Sequence, residues 1–187
     1  PVRFAPQISD GRVYVGSDDG VVYCLNAADG KPVWTFRGGL NDDTMIGNGR
    51  LISRWPLRTG VLVDKGQVYF AAGMWPTEGI FIYALDAATG KIVWCNDTTG
   101  AGILRSSHAV YSITGLAPQG AILANDDFLV LPMGRCSPAT LDRKTGKFLR
   151  YQPGATISGT GSSWVTLDGN KCYTFSKSFY SPLAVNA

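Results

Sequence analysis

The chain is 187 residues long and poor in the groups that most often carry chemistry. It has one histidine, His108, in Ser106-Ser107-His108. A triad is assembled from distant segments around a buried acid, and this pair is not one. The four cysteines, Cys24, Cys95, Cys136 and Cys172, lie far apart, with no Cys-x-x-Cys and no adjacent pair. That spacing gives no support to a zinc ribbon, a thioredoxin-type site or covalent haem attachment. It leaves the disulfide state open, and the plainer reading is small apolar residues inside strands. No apolar run approaches the roughly 18 residues of a membrane helix, so no membrane-spanning segment is expected. Net charge is only +3 and no four Lys or Arg stand in a row, so nucleic acid is not an expected partner. The glycines of Ser158-Gly159-Thr160-Gly161-Ser162-Ser163 lead into a strand and lack the Lys-Ser/Thr pair of a phosphate loop. Asn41-Asp42-Asp43-Thr44 lacks the spaced acids and the bidentate Glu of a calcium loop, so no metal site is expected.

What the chain does have is 23 glycines, 11% aromatic residues and a repeat. Cys24–Trp34 reads C-L-N-A-A-D-G-K-P-V-W, Ala84–Trp94 reads A-L-D-A-A-T-G-K-I-V-W, and Thr140–Arg150 reads T-L-D-R-K-T-G-K-F-L-R. Each copy is a strand end, an acidic or amide residue, a short link, a Gly turn, a Lys and a returning strand. Upstream of each lies a polar turn: Ser9-Asp10-Gly11, Asp64-Lys65-Gly66 or Asn125-Asp126-Asp127. A fourth, Asp168-Gly169-Asn170, follows the third copy. These are hairpin signals, because Gly and Asn tolerate positive φ. The strands fall into an A-B-C-D order repeated three times, with a fourth set that stops early. A hairpin repeat of tens of residues predicts a propeller. The expected fold is all-β, a partial β-propeller of four-stranded antiparallel blades. The blades span about 1–37, 56–97, 116–152 and, incomplete, 160–187. No strand precedes Arg3 to complete the last sheet, so the remainder of its own propeller, or other protein chains, is expected to close the ring.

Within the repeat, Gly30, Gly90 and Gly146 supply the left-handed backbone of the C–D turn. Asn26, Asp86 and Asp142 accept bonds from the turn amides. Trp34 and Trp94 stand at one fixed strand position, where an indole can lie across the neighbouring unit and staple blades together.

Ala84–Trp94 resembles the A-x-D-x-x-T-G-x-x-x-W docking motif of the PQQ-like repeat, the blade unit of quinoprotein β-propellers. Ala84, Asp86, Gly90 and Trp94 carry the full match. Gly30 with Trp34, and Asp142 with Gly146, carry two partial ones. Cys24–Trp34 departs by Cys, Asn and Asp for Ala, Asp and Thr; Thr140–Arg150 departs by Thr for Ala and Arg for Trp. The segments Arg54–Gly60 and Ser137-Pro138-Ala139 look most like large PQQ-like proteins of environmental bacteria. The resemblance implies blade docking by the motif Trp and a periplasmic or secreted location. It also implies one of two activities. The first is a non-catalytic scaffold within a larger extracytoplasmic protein. The second is a PQQ-dependent alcohol or sugar dehydrogenase domain, with PQQ and calcium as cofactors. The second would need an acidic base over the quinone and, in the alcohol oxidases, two adjacent cysteines. Neither is found here, so no catalytic residue is nominated and no cofactor is expected on the first reading.

In propellers of this family the A strands line a central channel. Aligned there, the third positions Ala5, Gly60, Gly120 and Ser163 are all small, which lets backbones converge at a crowded axis. Polar residues precede them, and Arg3, Arg58, Thr59, Gln119 and Ser162 are the candidate ligand-binding residues of a channel mouth. Two guanidiniums in one mouth would suit a small anion such as a carboxylate. The alternative is that they pair with loop carboxylates such as Asp42, Asp43 or Glu78. Trp55, Met74 and Trp75 in the insertions are a candidate aromatic lid, since loops on a rigid scaffold often carry function.

Overall fold

A computed structural model describes residues 1–47, 49–105, 111–113, 115–134, 136–151, 163–175 and 180–184. Among them there is no α-helix. Alternating apolar residues between Gly and Asn turns give nineteen strands among the described residues. The first blade is β1 (Gln7–Ser9), β2 (Arg12–Gly16), β3 (Val21–Asn26) and β4 (Pro32–Arg37), in that spatial order. A hairpin insertion follows, β5 (Thr44–Gly47) and β6 (Arg50–Ser53). The second blade is β7 (Leu62–Asp64), β8 (Gln67–Ala72), β9 (Phe81–Asp86) and β10 (Ile92–Asn96). A second small hairpin, β11 (Ile103–Arg105) and β12 (Tyr111–Ile113), leads to the third blade. That blade is β13 (Leu123–Ala124), β14 (Phe128–Met133), β15 (Cys136–Asp142) and β16 (Phe148–Arg150). The fourth sheet has three described strands, β17 (Val165–Asp168), β18 (Lys171–Phe175) and β19 (Tyr180–Ala184). Each sheet is an antiparallel meander, and the B strands lie in separate sheets. The fold is therefore a partial β-propeller.

The core lies between sheets, face to face. Successive residues of a strand point to opposite faces, and β8 uses both. Val68, Phe70 and Ala72 pack towards the first blade with Tyr14, Val22 and Cys24. Tyr69 and Ala71 pack towards the third with Leu129, Leu131 and Leu141. β14 repeats the device: Phe128 and Val130 turn to Cys172 of the fourth sheet. All four cysteines are free thiols; Cys24 and Cys172 are buried as small apolar residues, whereas Cys95 is exposed.

Each C–D hairpin is built alike. Asp86 Oδ1 accepts from the Thr89 amide (2.8 Å) and hydroxyl (2.7 Å), and Asp142 Oδ1 does the same with Thr145 (2.7 and 2.7 Å). In the first blade Asn26 Oδ1 takes the Ala28 amide instead, at 2.8 Å. The Gly amide closes each turn onto Asn26, Asp86 or Asp142. After the turn all three D strands carry a β-bulge at one place. Leu25, Leu85 and Leu141 face Pro32, Ile92 and Phe148, and Cys24, Ala84 and Thr140 then face Trp34, Trp94 and Arg150. Val33, Val93 and Leu149 are the extra residues and are exposed. A bulge re-aims the next side chain, and here that side chain is the indole.

The indoles cross to the next blade in one geometry. Trp34 Nε1 donates to the Ala87 carbonyl (3.0 Å), and Trp94 Nε1 to the Arg143 carbonyl (3.0 Å). Both acceptors follow the motif Asp. Trp34 covers Gly90, and Trp94 covers Gly146. A Cβ at those glycines would come within 2.8 and 2.7 Å of the ring's Cδ2. Gly30 has the same backbone (φ +69° against +70° and +69°), but nothing lies within 4 Å of a Cβ there. Arg150 stands where the third Trp would be, opposite Thr140.

These contrasts set two expectations. Gly30→Ala should cost about 1 kcal/mol, for the left-handed backbone alone. Gly90→Ala and Gly146→Ala should each cost about 1–3 kcal/mol more, because the methyl meets an indole; urea unfolding midpoints would separate the three. The Thr89 hydroxyl, then its amide, holds Asp86 below its ordinary range, and the Thr145 hydroxyl and amide do so for Asp142. That stabilisation is complete above the unfolded value of about 3.9 and is lost as pH falls through the lower folded values. Thr89→Val and Thr145→Val should raise the two carboxyl pKa values in an NMR titration and flatten the stability profile in acid.

Candidate functional site at the hub

The A strands start at the axis, where the backbones nearly touch. The Gly60 amide donates to Gly120 O (2.9 Å), Gly120 N to Arg58 O (3.1 Å) and Ala121 N to Ser163 O (3.1 Å). Thr59 and Gly120 form a parallel bridge. Gly120 has φ +139°, and a Cβ there would overlap the Ser163 carbonyl. Phe4 of the first blade lies over Gly60 and meets Trp164 of the fourth, ring centres 6.1 Å apart. A glycine is required at Gly120, whereas a Cβ at Gly60 would meet the Phe4 ring at an ordinary contact distance of 3.5 Å.

The polar residues at the hub divide into two groups. Arg3 is held by Asp18, whose side chain is fully buried; Nε donates to Oδ1 at 2.7 Å and Nη2 to Oδ2 at 2.5 Å. Thr59 is 2% exposed, and its hydroxyl accepts the Ala71 amide at 3.0 Å, so it ties the strand entry to β8. Ser162 lies outside the described residues, as does His108. Arg58 is different. Among the described residues it has no carboxylate within ion-pair reach. Its Nη1 donates instead to the Met74 thioether at 3.3 Å. Burial, and then the neighbouring Arg3, lower its pKa from the ordinary value, while Asp18 opposes them. Arg3, Asp18 and Arg58 are thus one electrostatic cluster.

Arg58 faces a cleft of about 330 Å³ at the junction of the second and third blades. Gln119, Met74 and Trp75 line it too, so four of the sequence candidates meet there. Trp75 is 53% exposed. Trp55 does not join them, which corrects its place in the candidate lid. It is 3% exposed, its indole N–H donates to the Glu78 carbonyl at 2.6 Å, and its ring packs edge-on against Phe81. A large apolar ring beside the Arg54–Pro56 turn gains more from burial between blades than from solvent. The loop carboxylates Asp43 and Glu78 pair with Arg54, not with Arg3 or Arg58.

Sequence reasoning missed Asp18, which sits in a Ser17–Gly20 turn and reads as turn chemistry. It also missed Pro118, Met133, Cys136 and Tyr151 on the cleft wall. Met133 faces Cys136 across β14 and β15, so both side chains reach the same side.

A β-propeller of repeated indole-docked blades, with a polar hub, is of the quinoprotein type. The family described as "Outer membrane protein assembly factor BamB" matches residues 2–171, and the chain belongs to it as a PQQ-like repeat protein. It is 36% identical over 98 residues to a quinohemoprotein alcohol dehydrogenase of Comamonas testosteroni, a match covering 52% of this chain and 12% of the relative. It is 32% identical over 100 residues to the outer membrane protein assembly factor BamB of Salmonella typhimurium, covering 54% and 23%. The crystal structure of BamB from Moraxella catarrhalis superposes over 92% of this chain and 45% of that one, with a TM-score of 0.57 at 18% identity. The chain therefore matches under a quarter of the length of these curated relatives.

No group of three His, Cys, Asp or Glu could hold a metal among the described residues, and the cleft wall carries no carboxylate. A hard cation needs several oxygen donors.

The buried carboxylate at the hub gives the test of this geometry. Arg3→Met should cost about 3 kcal/mol, because it leaves Asp18 buried and unpaired. The double variant Arg3→Met, Asp18→Leu should recover most of that loss in chemical denaturation.

Proposed function

We propose that the chain is a non-catalytic, ligand-binding accessory propeller domain of a larger extracytoplasmic protein, and that its hub cleft holds a small anion. One observation carries this reading: Arg58 faces the cleft beside Gln119 with no carboxylate among the described residues within ion-pair reach. A guanidinium is a planar, always-charged donor suited to a carboxylate. The described wall has no Asp, Glu or His, and its two titratable side chains besides Arg58 are the Cys136 thiol and the Tyr151 phenol, the latter held in its neutral form by burial. The relatives that are outer membrane assembly factors favour the accessory role and the location. The partners are the remainder of its own propeller or other chains that complete the ring.

A second reading is a PQQ-dependent dehydrogenase domain whose catalytic residues lie partly elsewhere, and the 36% identity to an alcohol dehydrogenase favours it. Titration of the full-length protein with PQQ and calcium, followed by dye reduction with an alcohol, decides between the two. Saturable cofactor binding with turnover supports the dehydrogenase, and a flat titration with no turnover supports the accessory domain. On the first reading, 3-phenylpropionate shifts the Arg58 and Gln119 side-chain signals in an NMR titration. Arg58→Gln weakens that binding by about tenfold or more, the loss of one charge-assisted hydrogen bond.

A further inference from the structure

We propose that the hub cleft selects a monocarboxylate with an apolar body, and that buried Asp18 sets this preference by neutralising Arg3. The proposal rests on the anion-binding reading above and specifies which anion.

The charge count comes first. The Leu57 amide donates to the Ser17 carbonyl at 3.3 Å, which sets Arg58 beside the turn whose Asp18 holds Arg3, so the hub has two guanidiniums and one carboxylate. Both Asp18 oxygens are engaged by Arg3, in the bidentate geometry that makes such a pair strong. Arg3 is not on the cleft wall. One positive charge is left over, and it is the one facing the cleft. A thioether is a weak acceptor, so the contact from Arg58 to Met74 yields readily to a carboxylate. A second carboxylate on the same ligand would find no second cation among the described wall residues.

The wall then defines the rest of the ligand. Met74, Pro76, Ala117, Pro118 and Met133 are apolar, and Trp75 and Tyr151 add aromatic surface. The polar groups of the described wall side chains are those of Arg58 and Gln119, the Trp75 indole N–H, the Cys136 thiol and the Tyr151 phenol, which burial keeps protonated by raising its pKa, and Arg58 is the one cation among them. Binding pockets run from about 300 to 1,000 Å³, so a cleft of about 330 Å³ accommodates a ring or branched chain with a short carboxylate arm. Either a free organic acid or the C-terminal residue of a peptide has this chemistry.

Calorimetry on the full chain tests it with defined probes. These are 3-phenylpropionate, its amide, acetate, terephthalate, and a tripeptide ending in leucine with a free or an amidated C-terminus. We expect 3-phenylpropionate to bind at least tenfold more tightly than acetate, terephthalate or its own amide. Tighter binding of the free-ended tripeptide than of 3-phenylpropionate identifies a peptide terminus as the source; the reverse identifies a free acid. Either of these two orders supports the proposal. Equal affinity for 3-phenylpropionate and terephthalate, or for 3-phenylpropionate and acetate, overturns it and leaves the anion-binding reading standing. No binding by any carboxylate overturns both.

Variants read the charge count directly. Asp18→Asn leaves two net positive charges, and the ratio of terephthalate to 3-phenylpropionate affinity should rise at least tenfold. Removing both partners with Arg3→Gln, Asp18→Asn returns the cluster to one charge and should restore the preference for the monocarboxylate. A folded Asp18→Asn protein with an unchanged ratio overturns the role of Asp18. Because the probe series on the unmodified protein needs no variant, the ligand class is decided even if Asp18→Asn does not fold.

Discussion

An indole laid on a glycine holds these sheets together. Sheets that pack face to face need something to fix their spacing and register, because apolar contact alone is non-directional. Trp34 on Gly90 and Trp94 on Gly146 supply both. The ring fills the space that the missing side chain leaves, and the single N–H donor locks to one carbonyl of the next blade. The bulge in each D strand aims the ring, and the Asp–Thr turn holds the carbonyl in position. At both junctions the parts occur together, an indole from one blade and a glycine with an Asp–Thr turn from the next, while the third D strand keeps the bulge with Arg150 in place of the indole.

The two junctions solve one further problem with the same residue type placed on opposite sides. At the first, Arg12 of the first blade donates to the Ala87 and Ala88 carbonyls, joined by the Tyr14 hydroxyl. At the second, Gln67 occupies the place of Arg12 and instead accepts the Tyr69 hydroxyl. The guanidinium now comes from Arg143, at the place of Ala87. It reaches back to Tyr69, Asp64 and Asn125, and stacks over the Tyr69 ring. Both arrangements put one cation among the turn carbonyls beside the indole. A repeated fold can thus carry distinct junctions, and that helps keep blades in order, since a wrong neighbour would bring two guanidiniums together or none.

The repeat made the architecture legible because its signals are local. Turn glycines, the Asp–Thr pair and the strand alternation all lie within a few residues of the structure they build. The hub was legible only where the same alignment carried over, which brought out Gly60, Gly120, Arg58 and Gln119. Asp18 was not, because its partner Arg3 is fifteen residues away, ahead of the first strand, and its own neighbourhood reads as a turn. Trp55 misled for a related reason. An aromatic residue in an insertion looks exposed in sequence, and only the packing of Phe81 and the Glu78 carbonyl shows it to be a wedge between blades. Met133 and Cys136 belong to a B–C hairpin, and nothing local marks which hairpin ends beside a cleft.

Stapling and hub chemistry are carried by different residues at different radii. The indoles and their turns act at the outer strands, whereas Arg3, Asp18 and Arg58 sit where the inner strands begin. Substitution of a hub side chain such as Arg58 therefore changes the charge there without touching the indole contacts of the outer strands. This separation explains how a single blade unit occurs both in outer membrane assembly factors and in alcohol dehydrogenases. The outer contacts thus account for the shared fold, and a fold of this kind does not by itself fix a function.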